Sequence, residues 1–577
     1  MGKDYTPKDL NQLGDAYFYG KDQEKNIETA YTYYKQAADM NNPVGIYNVG
    51  KYYLKKEEYK KAYQQFKKAT DLDYTEAYIA LYEMYIEGTG IRRSKKKAFK
   101  ALKSAADQND VRTYHLIGRM YEQGIGTSAD YDKAYQYYES SATKNNVEGM
   151  YYMALFLLTK KNKKNEYETA YYWLDKAANM HHVPSIKKLI QLYQDGHEYV
   201  SKRSDLYLEE MAFYYQELLA KTDDLDALKM VAKAYEEGRT FLTINYRKAF
   251  DYYQKLHEHD EVIGYLGLGK CYLYGLGVDP NYDLAKDYLD LASSRNVSQA
   301  KNLLGDIYRH GYGVEADCEI AKSYYLGAAE NDDVDGLINL SLLHYRQQIK
   351  NPSPSQAMTY IKRAVSKDSP KAYFWLALYY ELGIGTEKDL KLSMDTYKKA
   401  IQLGNNASRY KLANILYKDI KRNPLSKRKT DMVFQEINEL LMTYIEAVDG
   451  DNRLKAMYLL GDLYKEDLFS KKSEKISRYY YEVAAENGYV KAMNRMYEIY
   501  LDEDFEASLA WLKKACENPY DGEELYLMAL LYEKGNNYIS QDLLKADQLL
   551  VQASNLNYSK ATEKLTLKGN EDTNGHK

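Results

Sequence analysis

LGDIYRHGYG (Leu304–Gly313), followed eight residues later by AKSYYLGAA (Ala321–Ala329), is the stretch on which the fold of this chain turns. In the first block a small residue, Gly305, stands three positions ahead of Tyr308, one turn of a helix. In the second, Ala321, Tyr324, Tyr325, Ala328 and Ala329 recur at i, i+3, i+4, i+7 and i+8, the stripe of a helix that buries one face. Between them Gly311 and Gly313 supply a stop, because a left-handed C-terminal cap strains any residue that carries a Cβ. The period is helical and not two, so the unit reads as a hairpin of helices, A and then B, with no strand.

The unit returns along the whole chain. Helix A recurs as IGRMYEQGIG (Ile117–Gly126) and LGKCYLYGLG (Leu268–Gly277); helix B recurs as AYTYYKQAA (Ala30–Ala38), AFKALKSAA (Ala98–Ala106), AYYWLDKAA (Ala170–Ala178) and AMTYIKRAV (Ala357–Val365). The small-residue position runs from Gly14 to Ala529 in about fifteen copies, with a 36-residue step such as Gly269 to Gly305. A small residue there lets the neighbouring helix approach, and the tyrosine one turn later is expected to fill the groove that the approach leaves.

These A-x-x-Y-Y-x-x-A-A and L-G-x-x-Y-x-x-G-x-G signatures resemble the Sel-one-like repeat (SLR), a relative of the tetratricopeptide repeat, over roughly residues 8–566. The resemblance implies an all-α, right-handed superhelical solenoid of about fifteen two-helix repeats whose curved inner surface binds other proteins. Tyr82, Ile190 and Tyr497 depart from the small-residue rule. A flexible lead is expected over 1–7 and a disordered tail over 567–577. The phase slips twice, by a step of 42 between Ile190 and Ala232 and of 48 between Ala413 and Gly461, which places insertions at 196–210 and 418–433. Both are expected to be loops, dividing the array into blocks 8–195, 205–417 and 430–566. The second gathers Lys418, Lys421, Arg422, Lys427, Arg428 and Lys429 around Pro424, either a solvated loop or a basic docking site for an acidic partner.

Composition excludes several function classes. Lys plus Arg number 80 and Asp plus Glu 84, a net charge of −4 that supplies no global field for a phosphate backbone, so nucleic acid is not the expected partner. The 66 tyrosines, against 11 Phe and 3 Trp, suit thin helical layers in which an amphipathic ring keeps its polar tip near water. No leader-like h-region opens the chain and no apolar run reaches membrane-spanning length, which points to a cytoplasmic protein without a membrane span. Cys271, Cys318 and Cys516 form no CxxC pair, and the nine histidines include no HExxH. His344 simply takes the tyrosine position of its repeat. The Gly-x-Gly pairs follow helices and not strands, so they are not phosphate loops. No catalytic residue, metal site or cofactor is assigned, and the chain is read as a non-enzyme.

With the small residue of helix A as zero, the core lies at −5, −1, 0 and +3, and positions −6, −3, +1 and +4 share the opposite face. Toward the N-terminus that face carries Tyr47, His115 and Tyr151 with Lys51, Arg112 and Arg119, a basic setting for an acidic segment. Toward the C-terminus it carries Phe374, Tyr410, Tyr458 and Tyr526. By resemblance this face lines the concave groove. The reading is an adaptor or scaffold that holds a partner protein or peptide there, the rings serving as anchors unless they cover the adjacent repeat. The alternative is a regulatory sensor that captures a disordered segment and changes curvature at the insertions.

Overall fold

The computed structural model describes residues 5–21, 23–159 and 164–574. Within them the chain forms 31 helices and no strand, apart from one isolated β-bridge between Arg239 and Leu242. It divides into two compact units, Met1–Tyr288 and Leu289–Lys577. Inside each, helices pack in chain order as A/B hairpins, for example Val111–Gln123 with Tyr131–Thr143 in the first unit and Ser298–His310 with Cys318–Ala329 in the second. Fifteen hairpins and one last helix, Ser559–Asn574, make the all-α repeat array that the periodicity implies. Successive A helices also touch each other, as Pro7–Tyr19 does Pro43–Lys55 and Ser298–His310 does Val334–Tyr345.

Local chemistry explains where the helices begin and end. Asn26, Asp130, Asp317 and Asp389 are N-caps of B helices, each accepting from backbone N–H groups of the first turn. A helices close on left-handed Gly88, Gly124, Gly275, Gly311 and Gly383, as expected. The second glycine of four of these pairs, Gly90, Gly126, Gly277 and Gly385, serves a different purpose, a close approach to the hairpin before it. A Cβ on Gly126 would stand 2.6 Å from the Lys95 carbonyl carbon, at the start of the preceding B helix. The turn from B back to A is left-handed too, but at Asn41, Asp73, Asn109, Asn145, Asp260 and Asp332, residue types that tolerate positive φ.

The packing at position zero corrects one expectation. The ring over the small residue comes from helix B, not from the tyrosine one turn along helix A. A Cβ on Gly305 would lie 2.6 Å from Cδ1 of Tyr325, and one on Gly118 would lie 2.7 Å from Tyr138. Tyr34, Tyr138, Tyr325 and Tyr481 are accordingly fully buried. Each passes its O–H to a carboxylate of the partner A helix: Tyr34 to Asp15 at 2.7 Å, Tyr138 to Glu122, Tyr325 to Asp306 and Tyr481 to Asp462 at 2.6 Å. The helix A tyrosines instead lie flat on the preceding residue of helix B, Tyr121 on Tyr137, Tyr272 on Tyr288 and Tyr308 on Tyr324. His344 does the same on Tyr360. Where position zero is itself large, at Tyr82 and Tyr497, the B-helix ring is replaced by Leu102 and Leu512, so the volume is conserved across the pair.

The two insertions are also corrected. The step around 196–210 is a turn over 195–204 followed by the B helix Asp205–Ala220, which Ser204 caps. The 418–433 insertion is not a loop. It lengthens two helices, Ala407–Arg422 and Lys427–Ala447, and leaves only Asn423–Ser426 between them. The reason is that Tyr417, Ile420, Phe434 and Ile437 continue the buried stripes into the added turns. The last helix runs to Asn574, across most of the tail expected to be disordered. Of the expected loose ends, residues 1–4 and 575–577 lie outside the described residues.

Candidate partner-binding face

In the first unit the face opposite the A-helix core gathers a cation and three rings. Lys51 Nζ lies 5.3, 5.2 and 5.8 Å from the centroids of Phe18, Tyr19 and Tyr47. It donates to the Tyr19 hydroxyl at 3.0 Å and to Asn48 Oδ1 at 3.3 Å, and no carboxylate among the described residues pairs with it. Tyr47 is wedged between Phe66 of its own hairpin and Tyr74 of the next, with centroids 5.5 and 5.3 Å away, and burial pushes its hydroxyl pKa up to about 12. Asn48 and Asn11, buried beside it, bond one to the other and tie adjacent A helices together.

Two hairpins on, the Arg119 guanidinium sits 4.8 Å from the Tyr152 centroid and also has no carboxylate partner among the described residues. His115 stacks on the same ring at 5.7 Å and 6°. Its Nδ1 is buried without a hydrogen bond, and burial lowers its pKa, which favours the neutral imidazole. Tyr151 packs edge-on to Tyr152 and to His182, which also bonds Glu148 at 3.2 Å. Arg112 is different. Its guanidinium is held by Asp110 at 2.5 Å and by Glu76 of the preceding hairpin at 3.3 Å, so it neutralises those carboxylates and adds no free charge. The basic setting therefore comes down to Lys51 and Arg119. Glu83, at the equivalent position of the hairpin between them, pairs with neither, and burial raises its pKa.

The second unit brings together Tyr410, Tyr458 and residues the spacing did not single out. Tyr458 packs against Tyr481 and Tyr489, with centroids 5.6 and 5.5 Å away, and accepts a hydrogen bond from Arg495 Nε at 3.3 Å. Tyr410 stacks on Tyr444, and Tyr526 leans on Tyr558 at 5.3 Å. Lys491 crosses Tyr520 at 5.1 Å and pairs with Asp521 at 2.9 Å. Phe374 rests on Trp375 and Tyr397. Phe374, Tyr410, Tyr458 and Tyr526 are half-buried, so these rings act first as packing within and between hairpins and offer only an edge to a guest. The seam residues Tyr74, Tyr489 and Tyr558 do carry a sequence signal, a Tyr-x-x-Ala that opens the next A helix at Tyr74–Ala77, Tyr489–Ala492 and Tyr558–Ala561.

No three His, Cys, Asp or Glu side chains among the described residues form a metal-binding group, and no described helix is long and apolar enough to cross a membrane. Cys271 and Cys516 are unreactive in setting, because burial pushes both thiols up to about 12.

The Sel1 repeat family matches eleven stretches, residues 7–42, 76–110, 112–146, 147–182, 225–256, 262–297, 298–333, 370–405, 454–489, 495–520 and 525–558, which together exceed half of the chain. The chain belongs to the Sel1 repeat family. Among solved structures, this Sel1 repeat protein is similar to a protective antigen of uropathogenic Escherichia coli that displays an SLR fold, at 20% identity and a TM-score of 0.42, covering 84% of this chain and 94% of that one. It is also similar to a Sel1 repeat protein of Oxalobacter formigenes, at 21% identity and a TM-score of 0.36, covering 46% of this chain and 100% of that one. No curated protein matches it. Sel1 repeat proteins generally mediate protein–protein interaction and are typically non-catalytic.

Proposed function

We propose that this Sel1 repeat protein is a scaffold or adaptor that holds an acidic segment of a partner protein along the A-helix face of its first unit. The observation that carries this reading is the pair of cations without carboxylate partners among the described residues, Lys51 and Arg119, each set against aromatic rings. A cation kept on a half-buried ring is partly desolvated, so a carboxylate arriving there gains more than it would at an open surface lysine. The two sit two hairpins apart, roughly 20 Å at ordinary helix spacing. About six residues of extended chain span that distance. A fitting segment carries acids at its two ends and none in the middle, opposite Glu83.

The test uses the full chain with Lys51→Ala and Arg119→Ala together, compared with wild type by quantitative affinity capture from the native organism. The expected result is loss of a stoichiometric partner with an unchanged thermal melt. An unchanged partner set would overturn the reading. These substitutions are cleaner than removing Phe374, Tyr410 and Tyr458, whose rings pack on helix B of their own hairpins.

A further inference from the structure

Among the described residues, the longest helix pair of the array carries a surface that the groove does not explain. Helix Lys427–Ala447, at 21 residues, is longer than any other described helix, and with Ala407–Arg422 it carries a tip, residues 421–429, that is exposed throughout. Lys421 is committed to Glu466. Lys418, Arg422, Lys427, Arg428 and Lys429 make no ion pair among the described residues. The fold adds a further cation from far along the chain. The Ser470 N–H donates to Asp431 Oδ1 at 3.0 Å, and this brings Lys471 close enough to act on Asp431 together with Lys427.

Two features say that this cluster is not an idle solvated surface. Lys427, Arg428 and Lys429 occupy the first turn of their helix, which contains no acid, so their charge adds to the positive end of the helix dipole and opposes helix stability. A local rule broken with only Asp431 nearby to offset three cations marks a surface kept for another purpose. The cations also flank exposed apolar side chains, Leu425 at 50% and Met432 at 64% exposure, with shallow hollows on either side of Met432.

We propose that this tip docks an acidic, amphipathic helical segment of a partner protein, carboxylates against Arg422, Lys427, Arg428 and Lys429 and apolar side chains against Leu425 and Met432. Charge complementarity selects the acid. The hollows beside Met432 select side chains in helical register over a featureless polyanion. An anionic membrane surface fits less well, because Asp431 and Glu439 lie along the same helix and only two apolar side chains are available to insert. The site is independent of the Lys51 and Arg119 face.

The test is fluorescence anisotropy on the full chain with a labelled synthetic helix that carries glutamates on one side and leucines at i, i+3, i+4 and i+7 on the other. Binding is expected, weakened about tenfold or more by Arg428→Glu with Lys429→Glu and about threefold or more by Met432→Ser. Lys51→Ala with Arg119→Ala is expected to leave it unchanged, and circular dichroism checks that every variant is folded. Four results overturn the proposal: no binding of the peptide; equal binding by the charge-reversed variant; equal binding of a peptide with serine for leucine; or vesicles rich in phosphatidylserine binding through the same residues while the peptide does not.

Discussion

Gly305→Ala is the sharpest test of how the hairpins are held together. The added methyl would stand 2.6 Å from Cδ1 and 2.9 Å from Cζ of Tyr325, so the ring must withdraw by about 1 Å to reach ordinary contact distance. It has nowhere to go, being fully buried and bonded through its hydroxyl to Asp306 at 2.6 Å. Overpacking of this kind costs about 1–3 kcal/mol. Stretching a hydrogen bond to a carboxylate adds about 1.5 kcal/mol, and the better helix propensity of alanine returns about 1 kcal/mol. The net is a loss of about 2–3 kcal/mol in that hairpin, a roughly 50-fold rise in its local opening constant.

A repeat array does not unfold as one two-state unit, so the assay is local: hydrogen exchange by mass spectrometry over Ser298–His310. Gly327→Ala on the partner helix is the internal control. A Cβ there comes no closer than 3.4 Å, to Cδ of Lys301, so it should slow exchange by the propensity gain alone. In a Tyr325→Leu background, Gly305→Ala should cost little. The reasoning fails if Gly305→Ala leaves exchange unchanged, or if its cost persists once the ring is gone.

Three further outcomes are expected. Gly126→Ala, whose Cβ would run into the Lys95 carbonyl at a φ of +73°, should lower the melting temperature by more than Gly404→Ala, where φ is +96° but nothing lies within 4 Å; equal shifts would mean the approach to the previous hairpin is not tight. At left-handed Asn41, alanine should cost about 1 kcal/mol in thermal or chemical unfolding while glycine is neutral. Burial raises the pKa of Asp462 in the folded chain, so its contribution to stability is greatest below the ordinary carboxylate pKa and is lost as pH rises through the folded value. Asp462→Asn keeps an acceptor for Tyr481 and should therefore gain on wild type in melts at pH 7 but not near pH 3; a gain of the opposite pH dependence would refute this.

Much of the fold was legible because it rests on local, periodic chemistry. The hairpin, its step and the glycine stop at Gly311 all follow from backbone geometry and the helical repeat. The volume exchange between Gly305 with Tyr325 and Tyr497 with Leu512 was also present in the residues, but needed the pairing of A with B to be seen. The 418–433 segment misled because its charges and Pro424 look like a loop, whereas Tyr417, Ile420, Phe434 and Ile437 keep the helices going. The binding face was legible only as a set of positions. That Arg112 is spent on Asp110 and Glu76, while Lys51 and Arg119 are not spent, depends on which side chains of neighbouring hairpins reach each other.

The amino-acid sequence by itself determined the helix pairs, their order and their caps, because each is set by residues within about two turns of one another. Only the tertiary structure decided which ring covers Gly305, which cations are paired with a carboxylate, and that Lys471 joins Lys427 at the long hairpin's tip. Those outcomes depend on contacts between side chains a repeat or more apart, where burial and pairing in three dimensions, not spacing along the chain, set the energy.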